Sequence, residues 1–260
     1  MSSTAPLNYY KYLPAFYERV GLADYSAEMM ARILLLAQQS GWAGRRVMDM
    51  ACGTGTAAIW LAREGFRVSG VDISSEMLIR ARGNAQAAHC STVTWRQGDI
   101  REPDTSAGAL DLVTWLRGLN HIQSLRDLER VFANTAAALA PGKLFVFDLD
   151  SVQGLVTRWG TGVHLLYNDG SDLTITVQST FSYETLVATL RYIIFYDVGE
   201  GWQRAEEVHL LRGYPLQAVN ALLERAGFDV LDTLDASLEP CDTGQDSGER
   251  VLFVARKRAN

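Results

Sequence analysis

Between Val47 and Ser74 the chain reads VMDMACGTG, then a short stretch with helical patterning, then RVSGVDIS. An apolar run broken by a Gly-x-Gly turn, a helix, and a second apolar run closing on a carboxylate about 20 residues on make one unit. It is the half-fold from which nucleotide-binding α/β sheets are built. Gly53 and Gly55 carry no Cβ, so the backbone turns sharply there and a ligand can approach it closely. Asp72 falls at the carboxyl end of the second strand, where a carboxylate accepts both hydroxyls of a ribose.

The kind of nucleotide is the next question, because Gly53, Gly55 and Ala58 also satisfy the G-x-G-x-x-A spacing of dinucleotide enzymes. Asp49 separates the two. It sits on the strand just before the turn, where a dinucleotide enzyme brings a pyrophosphate to a helix N-terminus, and a carboxylate there repels phosphate. S-adenosylmethionine has no phosphate, and its methionine end presents an ammonium that a carboxylate helps to hold. With that charge in place, DMACGTG resembles the first motif of class I S-adenosylmethionine-dependent methyltransferases.

Further segments extend the resemblance in order. WRQGDI (Trp95 to Ile100) resembles the third-strand motif of that family, in which a Gly-Asp pair meets the adenine amino group; this implies roles for Asp99 and Ile100. Ile73 and Met77 would cover the other face of the adenine, although core packing is the simpler reading of Met77 alone. ALDLVTWL (Ala109 to Leu116) reads as the fourth strand, and the resemblance places Leu116 and Asn120 beside the methionine part of the cofactor. Ala15-Phe16-Tyr17-Glu18 looks like the opening helical motif of small bacterial members, with Glu18 where Asp is usual, and it brings Tyr17 over the methionine end. An aromatic helix face packed on the core is the plainer reading of Tyr9, Tyr10, Tyr12 and Tyr17. The implied cofactor is thus S-adenosyl-L-methionine, bound by Tyr17, Asp49, Ala51, Gly53, Gly55, Asp72, Ile73, Met77, Asp99, Ile100, Leu116 and Asn120. The resemblance spans about residues 12 to 257.

Chain length and composition agree with a single large α/β domain. The 260 residues are 48% hydrophobic and 21% charged, enough for a substantial core. A net charge of −6 argues against a nucleic-acid partner. No apolar stretch approaches the ~20 residues of a membrane span. Met1 to Leu13 lacks the pattern of a secretion signal. Cys52, Cys90 and Cys241 are scattered and odd in number, which suits a cytoplasmic location and, with four His and no ligand spacing, offers no metal site.

Up to about residue 150, strands alternate with helices. Thr56 to Glu64 is stopped by Gly65, Ser75 to Ala88 is capped by Ser74, and Leu125 to Leu139 is capped by Ser124. Pro141-Gly142 is expected to end the last of these before a strand over Lys143 to Leu149. The expected fold is α/β: a Rossmann-like class I methyltransferase sheet, mostly parallel, of seven strands with the last antiparallel. Leu216 to Ala226 reads as a helix stopped by Gly227, and FDVLDTLD with RVLFVARK supplies the closing pair.

Residues 151–212 break the alternation. LTITVQSTFSY, TLVATLRYIIFYDV and WQRAEEVHLLRGY carry strand patterning, separated by turns such as Asn168-Asp169-Gly170, and imply three or more antiparallel strands inserted into the core. The core is then 1–150 with 213–260, and 151–212 is an insertion that caps the substrate. On a strand, Glu207 and His209 share a face. They are candidates for binding the acceptor or removing its proton, or else form a cross-strand polar pair on a solvated face.

The resemblance implies methyl transfer to an O or N atom of a small-molecule acceptor, with a homodimer left open. TWLRGLNHI stands where base amino-methyltransferases carry an Asn-Pro-Pro-Tyr-like motif, which counts against nucleic-acid bases as acceptors. A protein- or RNA-directed methyltransferase and a non-catalytic S-adenosylmethionine-binding protein remain alternatives. A nicotinamide dehydrogenase is more distant.

Overall fold

A computed structural model describes residues 9–102, 109–241 and 248–259. Most of the stretch read for a secretion signal, residues 1–8, lies outside them. After helix α1 (Asp24–Gln39) come β1 (Arg46–Met50), α2 (Thr56–Arg63), β2 (Arg67–Asp72), α3 (Ser75–Ala87), β3 (Thr94–Gln97), β4 (Leu110–Trp115), α4 (Leu125–Ala138) and β5 (Leu139–Asp150). Strands β1, β4 and β5 are buried along nearly their whole carboxyl halves, as continuous apolar runs covered on both faces must be. Ser74 and Ser124 cap α3 and α4 by accepting the backbone N–H of Met77 at 3.1 Å and Asp127 at 3.0 Å, as expected.

The chain closes with α6 (Leu216–Arg225), β10 (Phe228–Asp235) and β11 (Arg250–Lys257). Together these strands make a seven-stranded sheet in the order β10-β11-β5-β4-β1-β2-β3. The pairs from β5 to β3 are parallel, whereas β11 is antiparallel to both β5 and β10. This is the expected α/β sheet with its last strand reversed. Strand order turns back between β1 and β4, and a ligand crevice opens at the carboxyl ends beside such a switch point.

Three local expectations need correction. Strand β5 begins at Leu139, directly after α4, so Pro141-Gly142 does not separate helix from strand. The pair lies instead in a bulge, where Leu110 pairs with Leu139 but Leu112 pairs with Leu144, and Gly142 at φ +75° lets the extra residues fold out. The opening motif forms a short 3-10 helix, Leu13–Phe16, followed by turns, rather than a full helix. Residues 152–159 form a helix, α5 (Val152–Trp159), at the head of the insertion.

The insertion continues as β6 (Gly162–Asn168), β7 (Leu173–Ser182), β8 (Val187–Asp197) and β9 (Trp202–Arg212), an antiparallel meander. Leu173, Ile175 and Val177 of β7 alternate inward, as do Ala188, Leu190 and Ile194 of β8. That face packs on Leu155 of α5 and on Leu13, so the N-terminal segment belongs to the insertion's core as much as to the main sheet. No helix of the described residues is long and apolar enough to cross a membrane.

Candidate active site

A cavity of about 530 Å³ lies over the carboxyl ends of β1, β2 and β4, between the main sheet and the N-terminal segment. Of the residues expected to hold the cofactor, Tyr17, Asp49, Ala51, Gly53, Asp72, Ile73, Met77, Asp99, Ile100 and Leu116 line it. They come from five separate stretches of sequence.

At one end Asp72 Oδ2 accepts the N–H of Gly53 at 2.9 Å, and Oδ1 accepts that of Ser74 at 2.8 Å. The carboxylate is therefore oriented by the Gly turn, with lone pairs remaining on both oxygens. Burial raises its pKa, and the two backbone donors partly offset that. Gly53 at φ +54° is needed for this geometry. Gly55 serves differently from expectation. It does not line the cavity; it caps α2 at φ +84°, and a Cβ there would come 2.5 Å from Trp95, so it is required for packing.

Asp49 lies deeper and is almost wholly buried. Its Oδ1 accepts the Thr114 hydroxyl at 3.1 Å, while Oδ2 has no hydrogen-bond partner among the described residues. Burial, reinforced by the nearby Asp72 charge, pushes this carboxyl up to about 7. A buried carboxylate oxygen without a partner on a cavity wall fits a cationic group, which supplies the missing hydrogen bonds and charge.

Asp99 lines the cavity, yet its carboxylate is clasped by Arg101 Nε at 3.0 Å to each oxygen and by Nη2 at 2.5 Å. The guanidinium holds Asp99 below the usual carboxylate range. Ile73 is exposed and Met77 is buried, so Met77 serves the core and the cavity wall together.

Two expectations change behind the wall. Asn120 does not reach the cavity: its amide donates to the carbonyls of Asp150 and Arg212, both at 2.9 Å, and its oxygen accepts the N–H of Asp150 at 2.8 Å. It bolts the β4 loop to β5 and β9. Glu207 and His209 do share a face of β9, with His209 Nε2 donating to Glu207 Oε1 at 2.9 Å, but that face is buried and neither residue lines the cavity. Neither the acceptor-facing nor the solvated placement is observed.

Sequence reasoning did not single out Arg117 and His121, and it read Tyr10 only as part of an aromatic face; all three line the wall. The Tyr10 hydroxyl pairs with His121 Nε2 at 3.1 Å, and burial, with His209 and Arg117 nearby, drops His121 to about 3, so the imidazole is neutral at pH 7. Arg117 takes φ +58°, a conformation that costs a non-glycine residue on the order of 1–3 kcal/mol. Asp148 compensates by accepting its N–H at 2.6 Å, and Arg250 anchors Asp148 in turn at 2.8 Å. The Arg117 guanidinium donates to the Leu22 carbonyl at 2.7 Å. On its far side is a second cavity of about 780 Å³, so Arg117 belongs to the walls of both.

Comparison with known proteins agrees with this geometry. A family described as a methyltransferase domain matches residues 47–142. The chain is 28% identical over 213 residues to "Putative methyltransferase YqeM" of Bacillus subtilis (strain 168), an alignment covering 82% of this chain and 84% of that one. The fold is similar to that of an S-adenosylmethionine-dependent methyltransferase from Clostridium acetobutylicum, with TM-score 0.81, 22% identity, and coverage of 94% and 97% of the two chains. It is also similar to CalS10, an amino pentose methyltransferase from Micromonospora echinaspora solved with S-adenosylmethionine bound, with TM-score 0.68, 22% identity, and coverage of 96% and 98%. A Gly turn that orients a buried carboxylate, a second buried carboxylate oxygen that lacks a partner among the described residues, and a methyltransferase domain over residues 47–142 on this fold together support a class I S-adenosylmethionine-dependent methyltransferase.

Proposed function

We propose that this enzyme methylates an amino or hydroxyl group of a small molecule whose body occupies the second cavity, under the insertion. The observation that carries this reading is the position of Arg117: because it walls both cavities, a molecule in the second would lie one side chain away from the donor cavity at the carboxyl end of β4. Arg158 and Trp159 of α5 and His164 and Leu165 of β6 line that second cavity opposite Tyr25 and Arg250 of the core. The insertion thus acts as the substrate cap, and the rest of the chain as the donor-binding core. The amino pentose acceptor class named for CalS10 is of the same kind. A cytoplasmic location belongs to the same reading.

Within the donor cavity, Asp72 is assigned to the ribose hydroxyls and Asp49 to the ammonium. Asp99 and Ile100 take the adenine with Ile73 and Met77, and Tyr17 and Leu116 flank the methionine end. The bound cofactor supplies a methyl group already activated by its sulfonium. What this chain adds is alignment, which contributes about 7 to 11 kcal/mol in favourable intramolecular reactions. His121, held near 3, cannot store a proton at pH 7. The neutral ring pairs with the Tyr10 hydroxyl and so fixes that side chain on the cavity wall.

The test is transfer of isotope-labelled methyl to a panel of small amines, phenols and alcohols, with purified protein and RNA in parallel. Label on small molecules supports the reading; label on macromolecules alone overturns it. With an acceptor found, Trp159→Ala is expected to raise its KM about tenfold and leave S-adenosylhomocysteine affinity unchanged. His121→Ala is expected to lower kcat by about ten- to a hundredfold.

A further inference from the structure

We infer that Glu207 is a positioning residue for the donor: through it the inserted sheet holds residues 9–17 closed over the donor cavity, and weakening that contact releases the donor faster. One oxygen, Oε2, accepts three consecutive backbone N–H groups, those of Lys11 at 3.0 Å, Tyr12 at 2.8 Å and Leu13 at 3.3 Å. The other oxygen accepts from His209. The side chain is wholly buried, so among the described residues these N–H donors compensate the carboxylate, and its acceptor capacity is turned away from the reaction.

The three N–H groups lead into the 3-10 helix Leu13–Phe16, whose first turn has no capping side chain of its own. Glu207, nearly 200 residues away in sequence, supplies the cap from the insertion. The segment tied down in this way carries Tyr9 and Tyr10 just before the contact and Tyr17 just after it, and all three line the donor cavity. Tyr10 also packs edge-on against the His209 ring, with centroids 4.5 Å apart.

On its other side the segment touches the core at the Asp72 corner. Ser74 Oγ donates to the Tyr10 carbonyl at 3.2 Å, and Glu18 accepts from Asn84 at 2.6 Å and Arg80 at 3.2 Å. Apart from one short 3-10 turn it has no regular structure, so its place over the cavity depends on contacts with its neighbours. Glu207 is the strongest of its ties to the insertion, being a buried charge with several donors. The inference concerns the donor alone and stands independently of which acceptor is methylated.

The experiment measures dissociation of S-adenosylhomocysteine by stopped-flow displacement for wild type, Glu207→Gln and Glu207→Ala, with hydrogen exchange at the Lys11, Tyr12 and Leu13 amides. Glutamine keeps an acceptor oxygen but loses the charge, so it is expected to raise the off-rate about three- to tenfold, and alanine more than about thirtyfold. On-rates are expected to change less, and exchange at the three amides is expected to accelerate in the same order. If alanine prevents folding, the near-isosteric glutamine variant decides alone. An off-rate within twofold of wild type in the folded variants, even with a lowered melting temperature, shows a purely structural role and overturns the inference. Faster release without faster exchange at residues 11–13 overturns it as well.

Discussion

Replacing Asp72 by alanine is expected to weaken S-adenosylhomocysteine binding about 10²- to 10⁴-fold, measured by calorimetry at neutral pH. Asp72 is fixed before any ligand arrives, because Gly53 and Ser74 donate one backbone N–H to each carboxylate oxygen. A ribose diol then meets an acceptor that loses no rotamer freedom on binding. Two charge-assisted hydrogen bonds of about 1.5 to 3 kcal/mol each account for the loss. Alanine also strands the Gly53 and Ser74 donors and loosens the Gly turn itself. An asparagine side chain retains one carbonyl acceptor, so Asp72→Asn is expected to fall between wild type and alanine. Unchanged affinity in the alanine variant would place the ribose elsewhere.

Asp49 gives the second large effect, through pH. Its folded-state pKa of about 7 means that much of the ligand-free protein carries a neutral carboxylic acid there at pH 6.5. The donor's ammonium requires the ionised form, so binding is expected to release a proton near pH 6.5, and affinity should fall about tenfold for each pH unit below that pKa. In the Asp49→Asn variant the pH dependence between 5.5 and 7.5 flattens, and affinity drops about ten- to a hundredfold through loss of the ion pair. Calorimetry in buffers of different ionisation enthalpy counts the released proton directly. The stability of the ligand-free protein moves in the opposite sense to affinity. A carboxyl raised from 3.8 to about 7 stabilises the fold fully below the unfolded value and loses that contribution as pH rises through 7, on the order of 4 kcal/mol in all. The thermal stability of Asp49→Asn should accordingly exceed that of wild type most at pH 8 and least at pH 4.

The cavity wall formed by Asp49, Gly53 and Asp72 was legible in the sequence because its geometry rests on short-range rules. A Gly-x-Gly turn needs positive φ at fixed offsets, and a carboxylate at a strand end has a fixed direction, so Asp49, Gly53 and Asp72 could be placed from spacing alone. Gly55 was legible as a required glycine but not for the reason expected: the ring of Trp95, 40 residues away, excludes a Cβ there.

The rest of the cavity wall follows no such spacing. Tyr10 and His121 are 111 residues apart and meet only because the N-terminal segment is folded across the β4 loop. Asn120 and His121 illustrate the difficulty. They sit on one 3-10 turn, Leu119–His121, where successive side chains diverge by about 120°, so one faces the β5–β9 junction and the next faces the cavity. A shift of one residue separates a bolt from a wall. Glu207 was misread for a related reason. Strand periodicity correctly gave it the same face as His209, but whether that face meets water, a ligand or buried backbone depends on residues 11–13, which no local pattern connects to β9.

Calorimetric titration of the wild-type enzyme with S-adenosylhomocysteine, run beside an identical titration with NAD, tests the donor site most directly. One site for S-adenosylhomocysteine and no measurable heat with NAD is the predicted result. Absence of S-adenosylhomocysteine binding, or NAD binding of equal strength, would contradict the assignment of the cavity between Asp49 and Asp72 to a phosphate-free, ammonium-bearing donor.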